Sequence, residues 1–265
     1  MSVLDIAMGM ADAVMATLPQ PMPDRETLSR CRLVAHRGEH DNARVMENTL
    51  AAFRAARDAG VWGFECDVRW TADCVPVICH DPSPARVFGV KTPVAELTFE
   101  QLRAVSPLIP SLQEVVAEFG GRCHLMLEIK AEPWSRPRRQ ADALRDVLAG
   151  LEAVSDYHLL SLQTAMFERV GFAPAECLLP VAETNIRSMS RQALARGYAG
   201  ISGHYLLLSE SLRRRHLAAG QRAGTGFPAS ANCLRRELNR GIDWIFSDNA
   251  VRLQALRDAW LSAQH

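Results

Sequence analysis

Short apolar runs alternate with helix-like stretches along almost the whole chain, and this rhythm limits the fold more than any other feature. The runs fall at 32–36 (RLVAH), 61–69 (VWGFECDVR), 75–80 (VPVICH), 124–130 (HLMLEIK), 158–163 (HLLSLQ), 176–181 (ECLLPV), 199–203 (AGISG) and 243–248 (DWIFSD). A weaker one at 221–228 is broken by Gly224, Gly226 and Pro228. Helical patterns separate most of them: 47–60 with Asn48 or Thr49 near its cap and Gly60 as its stop, 98–105, 111–120, 137–149, 164–170, 188–196, 209–220, 230–241 and the final residues. Ser111 and Glu114 form a capping box, and Ser230 caps the helix after it. Such alternation predicts an α/β fold with a mostly parallel sheet, and 265 residues suit one (β/α)8 TIM barrel. Nine strand candidates for eight barrel positions leave one extra. The link WTADC (70–74) is too short for a helical crossover, so it makes either a tight return or a hairpin arm.

The expected layout is an N-terminal helical extension over 1–30, then a single barrel domain over 31–265 with a short insertion at about 82–110. The first 20 residues lack a basic start, and Asp5 and Asp12 interrupt their apolar run, so they read as an amphipathic helix closing the bottom of the barrel. No stretch approaches the length of a membrane span. The 30 basic and 30 acidic residues give a formal charge of zero, which argues against a nucleic-acid binder held by phosphate contacts. Seven cysteines without a C-x-x-C pair read as buried thiols in a reducing, cytoplasmic setting. HRGEHDN after the first strand is not the glycine-rich turn of a dinucleotide fold, and no P-loop pattern occurs.

Polar residues crowd the ends of four strand candidates: His36 and Arg37, Glu65 and Asp67, His80 and Asp81, and Glu128 with Lys130. In a barrel, these ends and the following loops make the active face. Glu65 and Asp67 are two apart on a strand and share a face. Three inward carboxylates resist joint ionisation unless a cation neutralises them, and an all-oxygen set suits Mg²⁺ or Ca²⁺. Alternatively, these acids are ion-pair partners of Arg37, Arg69 and Lys130 or solvated loop groups. His36 and His80 have the near-neutral affinity for protons that lets one residue take a proton and another give one.

V-A-H-R-G (34–38), E-N-T (47–49), E-C-D-V (65–68), T-x-D (71–73), P-V-I-C-H-D (76–81), P-S-L (110–112) and L-E-I-K (127–130) together resemble the glycerophosphodiester phosphodiesterase family. S-L-Q (161–163) and G-I-D-W-I-F-S-D (241–248) match its later motifs more weakly. The resemblance implies a variant (β/α)8 barrel of the phospholipase C-like phosphodiesterase type. It implies hydrolysis of a small-molecule glycerophosphodiester to a phosphomonoester and an alcohol. Carried over motif by motif, His36 and His80 are the acid–base pair. Glu65, Asp67 and Glu128 hold one divalent cation, and Arg37 and Lys130 engage phosphate. Glu47 and Asp81 support these groups.

The chain departs from the family at two places. Only 47 residues separate His80 from Glu128, and Arg86 and Phe88 in this short insertion are expected at the substrate pocket. Gly226 stands where the family has a tryptophan and Phe227 where it has threonine, which puts glycerol selectivity in question. Trp134 is a candidate for the missing pocket wall, or else it packs on a helix. A lysophospholipase D-like enzyme is the alternative activity, recognisable by an apolar groove near 82–110 or 203–209. A catalytically inactive barrel acting as a binding or structural protein is the other alternative.

Overall fold

The computed structural model describes residues 12–264. Eight parallel strands close into a barrel: β1 (Leu33–His36), β2 (Gly63–Trp70), β4 (His124–Ile129), β5 (Tyr157–Ser161), β6 (Leu178–Ala182), β7 (Gly200–His204), β8 (Arg222–Gly226) and β9 (Trp244–Ser247), with β9 pairing back to β1. The extra strand is β3 (Pro76–Ile78), which pairs antiparallel with β2. The short 70–74 link is therefore a hairpin, and β3 is an arm outside the ring.

Local signals place the helices. Thr49 caps the helix Leu50–Asp58, Ser111 and Glu114 close a capping box on Leu112–Phe119, and Ser230 caps Ala231–Asn239. The helix expected at 164–170 is a 3-10 segment, Thr164–Val170. Two short helices, Arg25–Ser29 and Ala85–Phe88, carry too few residues to show a period in sequence. Helices pack outside the sheet on aromatic contacts such as the Phe53–Phe64 stack at 4.1 Å. Inside the ring, Val34, Met126, Leu160, Leu179, Trp244 and Phe246 form a separate apolar cluster. The insertion packs on its own small core of Val77, Cys79, Val94, Leu102 and Ile109.

The N-terminal extension departs from expectation. Residues 1–11 lie outside the described residues, and 12–17 are helical. The described part, 12–17, does not sit under the barrel. The Tyr205 hydroxyl, just past the C-terminal end of β7, donates to the Asp12 carboxylate. Asn232 donates to the Ala16 carbonyl at 2.8 Å, and Asn239 donates to Pro21 at 2.9 Å. The chain thus runs down the outside of the helix Ala231–Asn239. Among the described residues of this extension, Arg25–Ser29 reaches the base, where Leu28 is buried and Arg257 donates to its carbonyl.

The barrel floor is instead made of side chains from the strand starts. Trp62 stacks on His124 at 4.2 Å, and His158 meets Trp244 edge-on at 5.0 Å. His124 donates from Nδ1 to the Ser155 carbonyl, so its Nε2 accepts from His158 Nδ1 at 2.8 Å. Both rings are then neutral. Burial brings the pKa of His124 down to about 4 and that of His158 to about 3. The unfolded chain binds protons at these rings below pH ~6.5, while the folded chain does not. Their contribution to stability is present above that pH and is lost on acidification towards 4 and 3. The slope is at most about 1.4 kcal/mol per pH unit for each ring. Replacing His158 with glutamine keeps a donor for His124 and removes one titrating group. Urea unfolding between pH 7 and 5 should therefore show a shallower acid loss in H158Q than in the parent. Parallel slopes would refute the neutral pair.

Candidate active site

The turn after β1 sets the geometry of one side of the site. Arg37 has a positive φ of 58° and Asn48 one of 55°, both uncommon for residues with side chains. Gly38 follows at 79°, and a Cβ there would lie 2.7 Å from the Ala52 Cβ, so only glycine fits. The strained pair is tied together where the Asn48 amide donates to the Arg37 carbonyl at 3.0 Å. The turn aims both residues inward. The Arg37 backbone N–H donates to Glu65 Oε2 at 3.1 Å, and Asn48 Nδ2 donates to Asp67 Oδ2 at 2.7 Å.

Glu65 and Asp67 project from β2, and Glu128 projects from β4, with Asp67 paired to Glu128 in the strand register. A ligand oxygen from each lies within 4.8 Å of the others. Lys130 bridges Asp67 and Glu128, at 2.8 Å from each. Arg37 Nε lies 3.5 Å from Asp67. Three carboxylates face two cations, so the cluster is one positive charge short. The shortfall is concentrated on Glu65. Burial and repulsion from Asp67 push its pKa up to about 8, and its Oε1 is buried without a hydrogen-bond partner. For Asp67, burial is outweighed by Lys130, Arg37 and His80, and its pKa falls well below the usual carboxylate range. An orphaned carboxylate oxygen in an all-oxygen set with a charge deficit fits a hard divalent cation.

Each histidine is held from behind by an aspartate. His36 Nδ1 lies 2.6 Å from Asp248, and His80 Nδ1 lies 2.8 Å from Asp81. Nδ1–H donates in each case, which leaves Nε2 for chemistry. His36 Nε2 faces the carboxylate cluster, 3.8 Å from Glu65. Burial alone would lower its pKa, but Asp248 and Glu65 outweigh burial and raise it. For His80, burial prevails, helped by Lys130 and Arg37, and its pKa falls. The carbonyl of His80 is fixed by Arg69, whose Nε and Nη2 donate to it at 2.9 and 2.7 Å.

Not every expected residue lies where its sequence position pointed. His36, Arg37, Glu65, His80, Glu128 and Lys130 share a cleft of about 630 Å³. Gly226 and Phe227 line it too, and the Phe227 ring meets His36 at 4.8 Å. Arg86, Phe88 and Trp134 do not line it. Trp134 is buried edge-on to Trp70 at 4.9 Å as part of the main core. Phe88 packs on the insertion core, and Arg86 turns to Glu47 and Asp81. Cys66 and Cys79 beside the site are buried thiols, and burial pushes that of Cys79 up to about 12, so neither is reactive. Asp248, Asn48 and Arg69 went unnoticed as site residues. The first two stand in the S-D and E-N-T motifs, but no spacing rule showed which side chain each would meet.

A closed eight-stranded parallel barrel with its ionisable groups gathered at the C-terminal face is a (β/α)8 variant of the type found in phospholipase C-like phosphodiesterases. The chain belongs to the glycerophosphoryl diester phosphodiesterase family, whose profile matches residues 36–173. It is 33% identical over 149 residues to glycerophosphodiester phosphodiesterase 1 of Bos taurus, covering 48% of this chain and 43% of that protein. It is 33% identical over 111 residues to the glycerophosphodiester phosphodiesterase of Caldanaerobacter subterraneus subsp. tengcongensis, covering 37% and 45%. The matched segment thus spans less than half the length of these relatives. Among solved structures, the glycerophosphodiester phosphodiesterase of Thermotoga maritima shares the fold with a TM-score of 0.72 at 21% identity, over 85% of this chain and 98% of that one. A phosphodiesterase of Oleispira antarctica in complex with the product sn-glycerol-3-phosphate also has a TM-score of 0.72 at 21% identity, over 88% and 99%.

The carboxylate triad makes a direct prediction. A divalent cation titrated into chelator-treated protein should raise the unfolding temperature, with about 2.7 kcal/mol of stabilisation at a hundredfold excess over Kd. Glu65→Gln should remove most of that gain. An equal gain in the variant would place the binding elsewhere.

Proposed function

We propose that this protein hydrolyses a glycerophosphodiester, or a closely related phosphodiester, to a phosphomonoester and an alcohol, with one Mg²⁺ or Ca²⁺ held by Glu65, Asp67 and Glu128. The observation that carries this reading is the convergence of an incompletely neutralised carboxylate triad with two histidines whose Nδ1 atoms are already engaged. When bound, the cation supplies Lewis-acid polarisation of a phosphoryl oxygen. The chain's own groups do the rest. Arg37 and Lys130 at the cleft offer N–H donors to the anionic oxygens, where charge builds up in the transition state. One histidine accepts the proton of the attacking hydroxyl as the new O–P bond forms. The other donates a proton to the departing alkoxide as the old P–O bond breaks. The attacking hydroxyl belongs to water, or to a neighbouring hydroxyl of the substrate that gives a cyclic phosphate for water to open. The family and the product seen in the Oleispira antarctica phosphodiesterase both support a glycerol phosphate product. The seven free thiols support a reducing, cytoplasmic setting, and no helix among the described residues is long and apolar enough to cross a membrane.

Replacing His36 or His80 with alanine should lower turnover of glycerophosphodiesters by about 100-fold or more while cation-induced stabilisation persists. Turnover near parental levels in both variants would sink the acid–base reading. Turnover unchanged after thorough chelation would sink the metal.

One observation favours a second reading, a lysophospholipase D-like enzyme. The far wall of the cleft is largely apolar, with Leu160, Leu162, Val181, Leu206, Leu207 and Phe227 outnumbering Glu183, Thr184, Ser202 and His204. Leu206 and Leu207 are 44% and 40% exposed at its rim, within the 203–209 stretch singled out from sequence. An acyl chain has apolar surface to cover there, whereas glycerol has little. On this reading kcat/KM for a lysophospholipid exceeds that for the matching deacylated diester, and Leu207→Asp narrows the difference. Equal kcat/KM for both substrates would favour the simpler diester.

A further inference from the structure

Arg86 lies on the short insertion helix, outside the substrate cleft, yet it touches both supporting acids of the site at once. Its Nε donates to Asp81 Oδ2 at 2.7 Å. Its Nη1 and Nη2 donate to Glu47 Oε2 and Oε1 at 2.8 and 2.6 Å. Each acid passes the contact inward. Asp81 uses its other oxygen, Oδ1, to hold His80 Nδ1. Glu47 Oε1 also accepts from Arg37 Nη1 at 3.1 Å.

From this arrangement we infer that Arg86 is a positioning residue that fixes His80 and Arg37 together, through Asp81 and Glu47, and so couples the seating of the insertion to the assembly of the reacting groups. The inference rests on the roles proposed above for His80 and Arg37.

Three features support it. The planar guanidinium grips Glu47 with two parallel bonds and keeps Nε for Asp81, a three-bond pattern that a lysine ammonium cannot reproduce in one plane. Glu47 is buried, and burial works against its charge, yet Arg86, Asn42 and Arg37 bring its pKa down to about 2. It is therefore a fixed anion to which Arg37 can be anchored. Finally, Arg86 itself is about half exposed, so its packing alone does not explain three well-formed bonds. The insertion core of Val77, Cys79, Val94, Leu102 and Ile109 closes without it. Arg37 also makes contacts independent of Arg86, to Glu65 through its backbone and to Asp67 through Nε. Losing Arg86 should therefore loosen the site without dismantling it.

The test is a double-mutant cycle with R86Q, D81N and the combined variant, read by kcat and by imidazole nitrogen NMR of His80. Each single variant should lower kcat by about 10- to 100-fold. Unfolding temperatures should stay near the parental value. The combined variant should lose little more than the worse single, because both changes break one chain of contacts. Millimolar guanidinium should restore part of the activity of Arg86→Ala. In the spectra, a proton on His80 Nδ1 protected from exchange in the parent should exchange fast in R86Q. Additive losses in kcat, or a protected Nδ1 proton that survives in R86Q, would overturn the inference. The NMR reading needs no turnover, so it decides the point even if the parent protein cleaves no diester. That last result would count against the proposed function alone.

Discussion

The unequal charge balance at the C-terminal ends of β2 and β4 is the constraint on which the site depends. Glu65, Asp67 and Glu128 sit in a largely buried place, where each charge is expensive to keep unless something of opposite sign is close. Lys130 pairs with Asp67 and Glu128 together and Arg37 leans on Asp67, which leaves Glu65 Oε1 without a cation beside it. Much of the nearby structure serves to hold this arrangement. The left-handed conformations of Arg37 and Asn48 are unfavourable on their own. They persist because their amide groups end on Glu65 and Asp67. Strain in the turn after β1 and charge in β2 therefore stabilise each other. A substitution at Gly38 would disturb the carboxylates without touching them.

The same logic extends outward to the histidines. A ring that must exchange protons at Nε2 needs its other nitrogen committed, or both tautomers compete. Asp248 does this for His36 from the loop after β9, and Asp81 does it for His80 from the residue that follows it. The two aspartates thus stand at very different separations in sequence from their histidines, one adjacent and one 212 residues away. The barrel closure between β1 and β9 is what brings the distant one into place. Closure is consequently a condition for a competent His36.

What was legible in sequence follows from this division. All nine strands were visible, most as continuous apolar runs between helices with strong caps such as Ser111 and Ser230, and the glycine-broken β8 mainly by its place in the alternation. Sequence left the role of β3 open between a return and a hairpin, since strand direction depends on pairing rather than on residue type. The carboxylates and histidines were legible because ionisable groups at the ends of apolar runs need a reason to be there. Trp134 and Arg86 were misplaced for a common cause. A loop residue gives its type but not its direction, and a large aromatic ring in a loop satisfies a core as readily as a pocket. The described part of the N-terminal segment, from residue 12, lies elsewhere for a similar reason: an amphipathic pattern shows that a segment needs a surface, while Tyr205, Asn232 and Asn239 decide which one.

Around the ring, the carboxylate triad and both aspartate-held histidines stand on one side. β1, β2, the β3 arm and β4 supply His36, His80, the carboxylates, Arg37 and Lys130, whereas β5 to β8 and the loops after them supply mainly apolar residues, Leu160, Leu162, Val181, Leu206, Leu207 and Phe227, interspersed with Glu183, Thr184, Ser202 and His204. On the proposed function, a diester would lie with its phosphate towards β2 and β4 and its remaining atoms over the largely apolar half. Hydrogen bonds and charges hold the first half in place, because a misdirected charge there is left unpaired. The apolar half carries no such penalty, and substitutions such as a glycine at 226 change its shape without disturbing the charge balance opposite. On the proposed function, the reaction type and the choice of substrate are therefore set by different strands. This explains how the chain can keep every ionisable group of the family site while its pocket wall departs from the family pattern.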